Sequence, residues 1–172
     1  GESGGLFVLP DGSRFIDESS FWFVRTKTLM DLGQTGMYFI TDASTDTRGI
    51  YAALAEAGKL FTAESPEALA GQLGMDPAAL ASTVSRYNEL CAAGEDKDFG
   101  KSADYLKSVD PSALYAIPFN STSSGTFGGP VTDLDGRVLA EDGSVIPGLY
   151  AAGEVANGDL LWQEYPGSGT SL

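Results

Sequence analysis

Any proton or nucleophile chemistry in this 172-residue chain has to proceed without imidazole, because the sequence contains no histidine. That removes the commonest general base, the Ser-His-Asp and Cys-His arrangements and every His-ligated metal site. What remains is 24 carboxylates, ten Lys and Arg side chains, seven tyrosines and one cysteine. Cys91 allows no internal disulfide and no thiolate cluster for zinc or iron–sulfur. It falls on an apolar stripe among mostly acidic neighbours, and a reactive thiol needs an accessible, electropositive niche, so packing is its expected role. Phe21-Trp22-Phe23 is a run of three aromatics that reads either as the wall of an apolar pocket or as ordinary core or interface. Tyr165-Pro166-Gly167-Ser168-Gly169-Thr170 sets a phenol beside a glycine-rich turn.

The charge balance narrows the partners. Ten basic against 24 acidic side chains give a net charge of −14, which repels phosphate backbones and anionic headgroups. Nucleic-acid binding and membrane-surface binding are disfavoured. No run approaches the roughly 20 apolar residues that span a bilayer, and the N-terminus shows no signal-peptide succession. The compartment stays open. Beginning at Gly1 without Met and stopping at Thr170-Ser171-Leu172, the chain is expected to be a fragment of a longer protein.

The elements that must position these groups follow from periodicity and punctuation. Leu6-Phe7-Val8-Leu9, the turn Pro10-Asp11-Gly12-Ser13 and Arg14-Phe15-Ile16 read as a hairpin of two short strands. Met37-Tyr38-Phe39-Ile40 reads as a third strand, ended at Thr41-Asp42. Ile50, Leu54 and Ala57 form one helical face, stopped by Gly58. Two further helices carry explicit start and stop signals. One has Ser65 as N-cap, Pro66 at the first position and Gly74 beyond its end. The other has Asp76 as cap, Pro77 at the first position, an apolar stripe of Leu80, Val84, Tyr87 and Cys91, and Gly94 as its stop. Glu95 to Pro111 is polar and loop-like. After it the pattern turns to strands at Tyr115–Phe119 and Gly128–Thr132, and to a hairpin turned by Asp135-Gly136. Ser121 to Thr126 reads as either a functional turn or a bland surface loop.

Four motifs, in order, carry a resemblance. Ile146-Pro147-Gly148-Leu149-Tyr150-Ala151-Ala152-Gly153-Glu154-Val155 resembles the segment of the fumarate reductase and succinate dehydrogenase flavoprotein family where the chain re-enters the FAD domain. Gly125-Thr126-Phe127-Gly128-Gly129-Pro130-Val131 is similar to that family's threonine and double-glycine turn beside the flavin, and Asp135-Gly136-Arg137-Val138-Leu139 to its hairpin. Gly12-Ser13-Arg14-Phe15-Ile16-Asp17-Glu18 resembles its "GKRFVNE" strand end. The resemblance implies an α+β fold: a mobile capping domain over residues 1–125, followed by an incomplete, β-rich returning segment of the FAD domain over 126–172. It also implies FAD as cofactor, a small-molecule substrate and a separate electron donor or acceptor. No Gly-x-Gly-x-x-Gly motif follows a strand here, so the isolated chain is expected to hold FAD poorly and to be inactive.

The departures point to the substrate. Fumarate reductases place an arginine proton donor shortly after the first motif, where this chain has Trp22, and a histidine at the threonine turn, where it has Ser124-Gly125. Their last, dicarboxylate-holding arginine is lost where Tyr165 to Gly169 stands. Without a planar Arg fork the carboxylate clamp is missing. The closing motif is instead similar to that of the 3-ketosteroid dehydrogenases, where a Tyr hydroxyl and a glycine amide polarise a carbonyl; the resemblance gives Tyr165 and Gly169 that part. A phenol and an N–H aimed at one oxygen form an oxyanion hole. Trp22, with Phe21 and Phe23, then lines an apolar pocket. The same resemblance makes Glu154 the acid on the FAD ribose, with Gly125 at the flavin turn and Ser171 and Leu172 offering backbone N–H groups near the ring. The leading expectation is an FAD-dependent oxidoreductase that reduces or dehydrogenates a carbon–carbon bond next to a carbonyl, on an apolar or aromatic substrate. The alternatives are a fumarate- or enoate-type reductase with a relocated arginine such as Arg25 or Arg48, and a non-catalytic acidic interaction domain.

Overall fold

The protein, seen in a computed structural model, is described over residues 4–122 and 128–156, with Glu154 as backbone only. It divides into two compact units, Gly1–Ser121 and Thr122–Leu172. Helix and sheet are mixed.

In the first unit, β1 (Leu6–Val8), β2 (Gly36–Thr41), β3 (Phe61–Ala63) and β4 (Leu114–Asn120) form one antiparallel sheet in the order β1-β2-β4-β3. The register puts Phe7 opposite Phe39 and Phe39 opposite Ile117. Alternation along the strands sends side chains to opposite faces. Leu6, Val8, Ile40, Leu114 and Ala116 pack on one face with Leu69, Leu80, Val84 and Tyr87 from α3 (Pro66–Leu73) and α4 (Pro77–Ala93). Phe7 and Leu9 pack on the other face with Phe15, Ile16 and Leu29 of α1 (Trp22–Asp31). A short helix, α2 (Tyr51–Glu56), ends before Gly58.

The two punctuated helices form as their sequence dictates. The Ser65 hydroxyl accepts from Ala68 N at 3.1 Å and the Asp76 carboxylate from Ala78 N at 2.9 Å, each satisfying a donor that the first turn leaves open. Gly74 and Gly94 close them at φ of 72° and 69°. Cys91 is partly buried against the core, and burial pushes its thiol pKa up.

Three expectations need correction. Arg14-Phe15-Ile16 is not a strand: only a single bridge joins Val8 to Arg14, because Phe15 and Ile16 turn into the core and Arg14 is held by carboxylates. Gly128–Thr132 is likewise not a continuous strand: Gly128 and Thr132 are isolated bridge residues, Thr132 pairing with Val138, and the positive φ of Gly128 and Gly129, at 82° and 131°, interrupts extended pairing. Asp135-Gly136 turns only that bridge. The paired strands of the second unit are β5 (Arg137–Leu139) and β6 (Val145–Tyr150), and they meet through Ala140–Ser144. Helix α1 and strand β3 were not anticipated.

Candidate functional site

The N-terminal segment places the first group of candidate residues. Trp22 opens α1, and Phe21, Trp22 and Phe23 are 71%, 49% and 54% exposed. Their rings form a chain: Phe21 to Phe23 at 5.7 Å, and Trp22 edge-on to Phe23 at 6.1 Å. Nothing in the local sequence caps this helix. Phe21 makes no capping side-chain bond, the first turn has no acid, and Leu29 is the helix's one buried residue. Arg25 follows one turn after Trp22. It is half-buried, its guanidinium lies 4.8 Å over the Phe7 ring, and its Nη1 reaches the Glu18 carbonyl at 3.5 Å. Burial lowers its pKa, against the opposing pull of Glu18. Arg48 is exposed.

What holds this segment in place is a buried ion cluster that the sequence reading did not single out. Arg14 Nε and Nη2 donate to the two Glu18 carboxylate oxygens, both at 2.8 Å, and Nη2 also donates to Asp96 at 2.8 Å. Lys101 Nζ lies 3.1 Å from Glu18 and donates to the Gly5 carbonyl and the Tyr87 hydroxyl, both at 2.9 Å. Side-chain exposure is 6% for Arg14, 1% for Glu18 and 0% for Asp96 and Lys101. Two cations against two anions leave no net charge, the condition under which charges tolerate burial. Burial alone would lower the Arg14 pKa, but the bonds to Glu18 and Asp96 outweigh it and raise it. Burial would raise the Asp96 carboxyl, yet Arg14 and the amides of Phe99 and Lys101 bring it down to about 2. Tyr87 is pushed well above the usual phenol range, chiefly by burial. Gly5 must be glycine: its φ is 91° and a Cβ there would lie 2.7 Å from the Ile40 carbonyl oxygen. The available signal was the four-residue spacing of Arg14 and Glu18 within the strand-end motif. Asp96 and Lys101 lie in the stretch read as a loop, which carried no such signal.

The second unit holds part of the cofactor-side candidates. Strand β6 is exposed at all six residues, apolar ones included, and runs on to the 3₁₀ turn Gly153–Ala156, in which Glu154 is the second residue. Gly128 and Gly129 adopt φ values that side chains resist, so their backbone amides carry no screening Cβ. Backbone amides without a Cβ can be approached closely by a planar ring. Gly125, Tyr165, Gly169, Ser171 and Leu172 lie outside the described residues. Among the described residues no cluster of three metal-ligating side chains occurs, and no helix is long and apolar enough to cross a membrane.

The mixed helix and sheet of this chain resemble the structures of fumarate reductase flavoproteins. The flavocytochrome c3 fumarate reductase in its open conformation superposes with a TM-score of 0.75 at 32% identity, over 91% of this chain and 28% of that one. The chain belongs to the FAD binding domain family, which matches residues 1–172, so FAD is the family's cofactor. It is 37% identical over 160 residues to the NADH:acrylate oxidoreductase of Vibrio harveyi, covering 89% of this chain and 16% of that protein. It is 30% identical over 204 residues to the 3-oxosteroid 1-dehydrogenase of Mycobacterium tuberculosis, covering 98% and 36%. The chain thus spans well under half the length of these relatives, which are oxidoreductases.

Proposed function

We propose that residues 1–125 are the substrate-capping part, and 126–172 a returning segment of the FAD domain, of an FAD-dependent oxidoreductase that reduces or dehydrogenates a carbon–carbon bond next to a carbonyl on an apolar or aromatic substrate. The observation that carries this reading is the exposed aromatic chain Phe21-Trp22-Phe23 at the head of α1, where a dicarboxylate reductase would need a cation. A solvent-facing cluster of this size on a strongly acidic chain marks a surface that meets an apolar partner. The exposed apolar strand β6 supports a segment that is covered by more of the FAD domain.

FAD, when bound, supplies the redox equivalents. Glu154 would accept from its ribose hydroxyls, and Gly125, Ser171 and Leu172 would line the flavin with backbone groups. On the substrate, the Tyr165 hydroxyl and the Gly169 amide hold negative charge on the carbonyl oxygen, which a preorganised pair in a dry site does far better than water. Trp22 bounds the apolar pocket. The electron partner is a second molecule, and the isolated chain, lacking a phosphate-binding glycine motif, is expected to be colourless and silent.

The test is Tyr165→Phe in the full-length protein, read by stopped-flow absorbance of the flavin. Loss of about 10²–10³ in the chemical step with FAD content retained supports the reading. A rate within about twofold of wild type, under half a kcal/mol in barrier, overturns it.

A second reading is favoured by Arg25. It sits one helical turn from Trp22, on the same face, and is partly desolvated over Phe7, with no carboxylate within ion-pair distance among the described residues. Such a cation suits a fumarate- or enoate-type reductase with a displaced arginine. Arg25→Gln separates the two, because only this second enzyme would lose turnover on a carboxylate substrate while Tyr165→Phe left it intact.

A further inference from the structure

We propose that the head of α1 recognises a ligand carrying an aromatic ring and a carboxylate a few bonds apart, the class of an aryl-substituted 2-enoate or its saturated counterpart. The inference rests on the reading above and narrows it: the ring lies against Phe21-Trp22-Phe23, and the carboxylate meets Arg25. The bond between ring and carboxylate is then the one next to a carbonyl carbon.

The observation that points to an anion is the state of Arg25. Arg14, Arg86 and Arg137 each meet a carboxylate directly, at 2.8, 2.7 and 2.7 Å. Arg25 meets none among the described residues, in a chain with 24 acidic side chains to ten basic ones. Arg48 also lacks an ion pair there, but it is exposed and water serves it. Arg25 is half-buried, its hydrogen bond to the Glu18 carbonyl is long at 3.5 Å, and burial lowers its pKa. A guanidinium presents five N–H donors in a fixed fork. The other four here have no protein acceptor among the described residues. A partly desolvated cation in that condition is stabilised by an anion, and a planar carboxylate matches the fork.

The cation is also seated. Its guanidinium lies 4.8 Å over the Phe7 ring, which is buried. The Glu18 carboxylate accepts from the Phe7 amide at 3.2 Å and is itself held by Arg14 and Lys101. The ring beneath Arg25 and the carbonyl beside it are therefore both tied to the buried ion cluster. A cation fixed in this way loses less side-chain freedom when it binds. Spacing and charge then set the rest of the ligand. Trp22 and Arg25 are three residues apart, which puts them on one helix face with a rise of about 4.5 Å between them. A ring joined to a carboxylate through one carbon–carbon bond is of that length. A net charge of −14 opposes a doubly charged ligand more than a singly charged one, so a monoanion with an apolar body suits this surface better than a dicarboxylate.

The test is calorimetric titration of the full-length protein, with its flavin left oxidised and no electron donor present, so that binding is read without turnover. The probes are trans-cinnamate, its neutral amide trans-cinnamamide, and crotonate, which keeps the enoate and lacks the ring. Cinnamate should bind about tenfold or more tightly than either of the others, the worth of one charge-assisted hydrogen bond or of a buried ring. Arg25→Gln should bring cinnamate down to the affinity of the amide and leave the amide unchanged, whereas Arg25→Lys should keep part of the preference. Phe21→Ser should weaken both aryl ligands and spare crotonate. Equal affinity of cinnamate and cinnamamide for the wild-type protein, or an Arg25→Gln variant that weakens both alike, overturns the inference and leaves the apolar-substrate reading standing. Crotonate binding as tightly as cinnamate, with Phe21→Ser without effect, overturns both.

Discussion

Helices α4 and α1 pack on opposite faces of one sheet and differ in nearly every device that fixes a helix. Helix α4 is capped by Asp76, closed by Gly94 and buries Leu80, Val84, Tyr87 and Leu90. Its Tyr87 also meets Lys101 of the ion cluster. Helix α1 starts at an uncapped Phe21, has no acid in its first turn and buries Leu29 alone. One side of the sheet is held by redundant contacts. The other side carries a displayed aromatic surface on a lightly held element, and local stability of that low kind is where binding and closing segments are drawn from. The contrast teaches that in this unit the ion cluster, rather than α1 itself, sets where the aromatics stand: Glu18, only three residues before Phe21, is the residue that Arg14, Lys101 and the Phe7 amide all hold.

The most damaging way to break the contrast is therefore Glu18→Gln. Removing one partner from a buried ion cluster leaves charge uncompensated, and a loss of about 3–5 kcal/mol is expected in urea denaturation. A loss under about 1 kcal/mol would mean that water reaches the cluster. Acid is a gentler probe of the same region. The Asp96 carboxyl titrates at about 2 in the folded chain against an ordinary 3.8, so its contribution is fully present above pH 4 and is lost as pH falls through 2. Asp96→Asn should thus be least stable relative to wild type near neutrality, with the gap closing in that acidic window. A gap independent of pH would assign the loss to packing instead of charge.

A still smaller effect separates α4 from its packing. Asp76→Ala removes the bond to Ala78 N and should lower stability by about 1 kcal/mol, the usual worth of a cap, with no change in the far-ultraviolet spectrum of the folded state.

These sites also mark what could be read in advance. Helices α3 and α4 were legible because Ser65, Pro66, Gly74, Asp76, Pro77 and Gly94 are local signals whose physics acts within a few residues. Strands β2 and β4 were legible from aromatic and branched runs. Helix α1 was not, since a helix that buries one residue shows no apolar stripe, and its three consecutive aromatics suit a pocket wall as well as a helix start. β3 is three residues long and exists because it pairs with β4, whose partner residues lie 51 to 55 positions away. The ion cluster joins Arg14 and Glu18 to Asp96 and Lys101 across some 80 residues, a juxtaposition that only tertiary structure creates. Of the candidate site, the motif positions were legible by resemblance, whereas the exposure of Phe21, Trp22 and Phe23 depended on how little of α1 the sheet covers.

The smallest expected stability change is the one that tests the function of that surface. Phe21→Ser replaces a ring that is 71% exposed, so little apolar area returns to water on unfolding and the folded state should lose no more than about 0.5 kcal/mol. If the aromatic chain serves only as packing for α1, nothing further should change. If it bounds the pocket of an enzyme acting on an apolar substrate, the full-length protein should show KM raised about tenfold for such a substrate, equivalent to about 1.4 kcal/mol of lost binding, while kcat changes less. Serine removes the ring's contact with Phe23, which lies 5.7 Å away, without altering charge, and leaves a polar group in place of the apolar one. The same variant assayed on a dicarboxylate discriminates further. A substrate held by Arg25 should be nearly indifferent to the loss of Phe21, whereas one lying against the aromatic surface should feel it in proportion to the area it buries there.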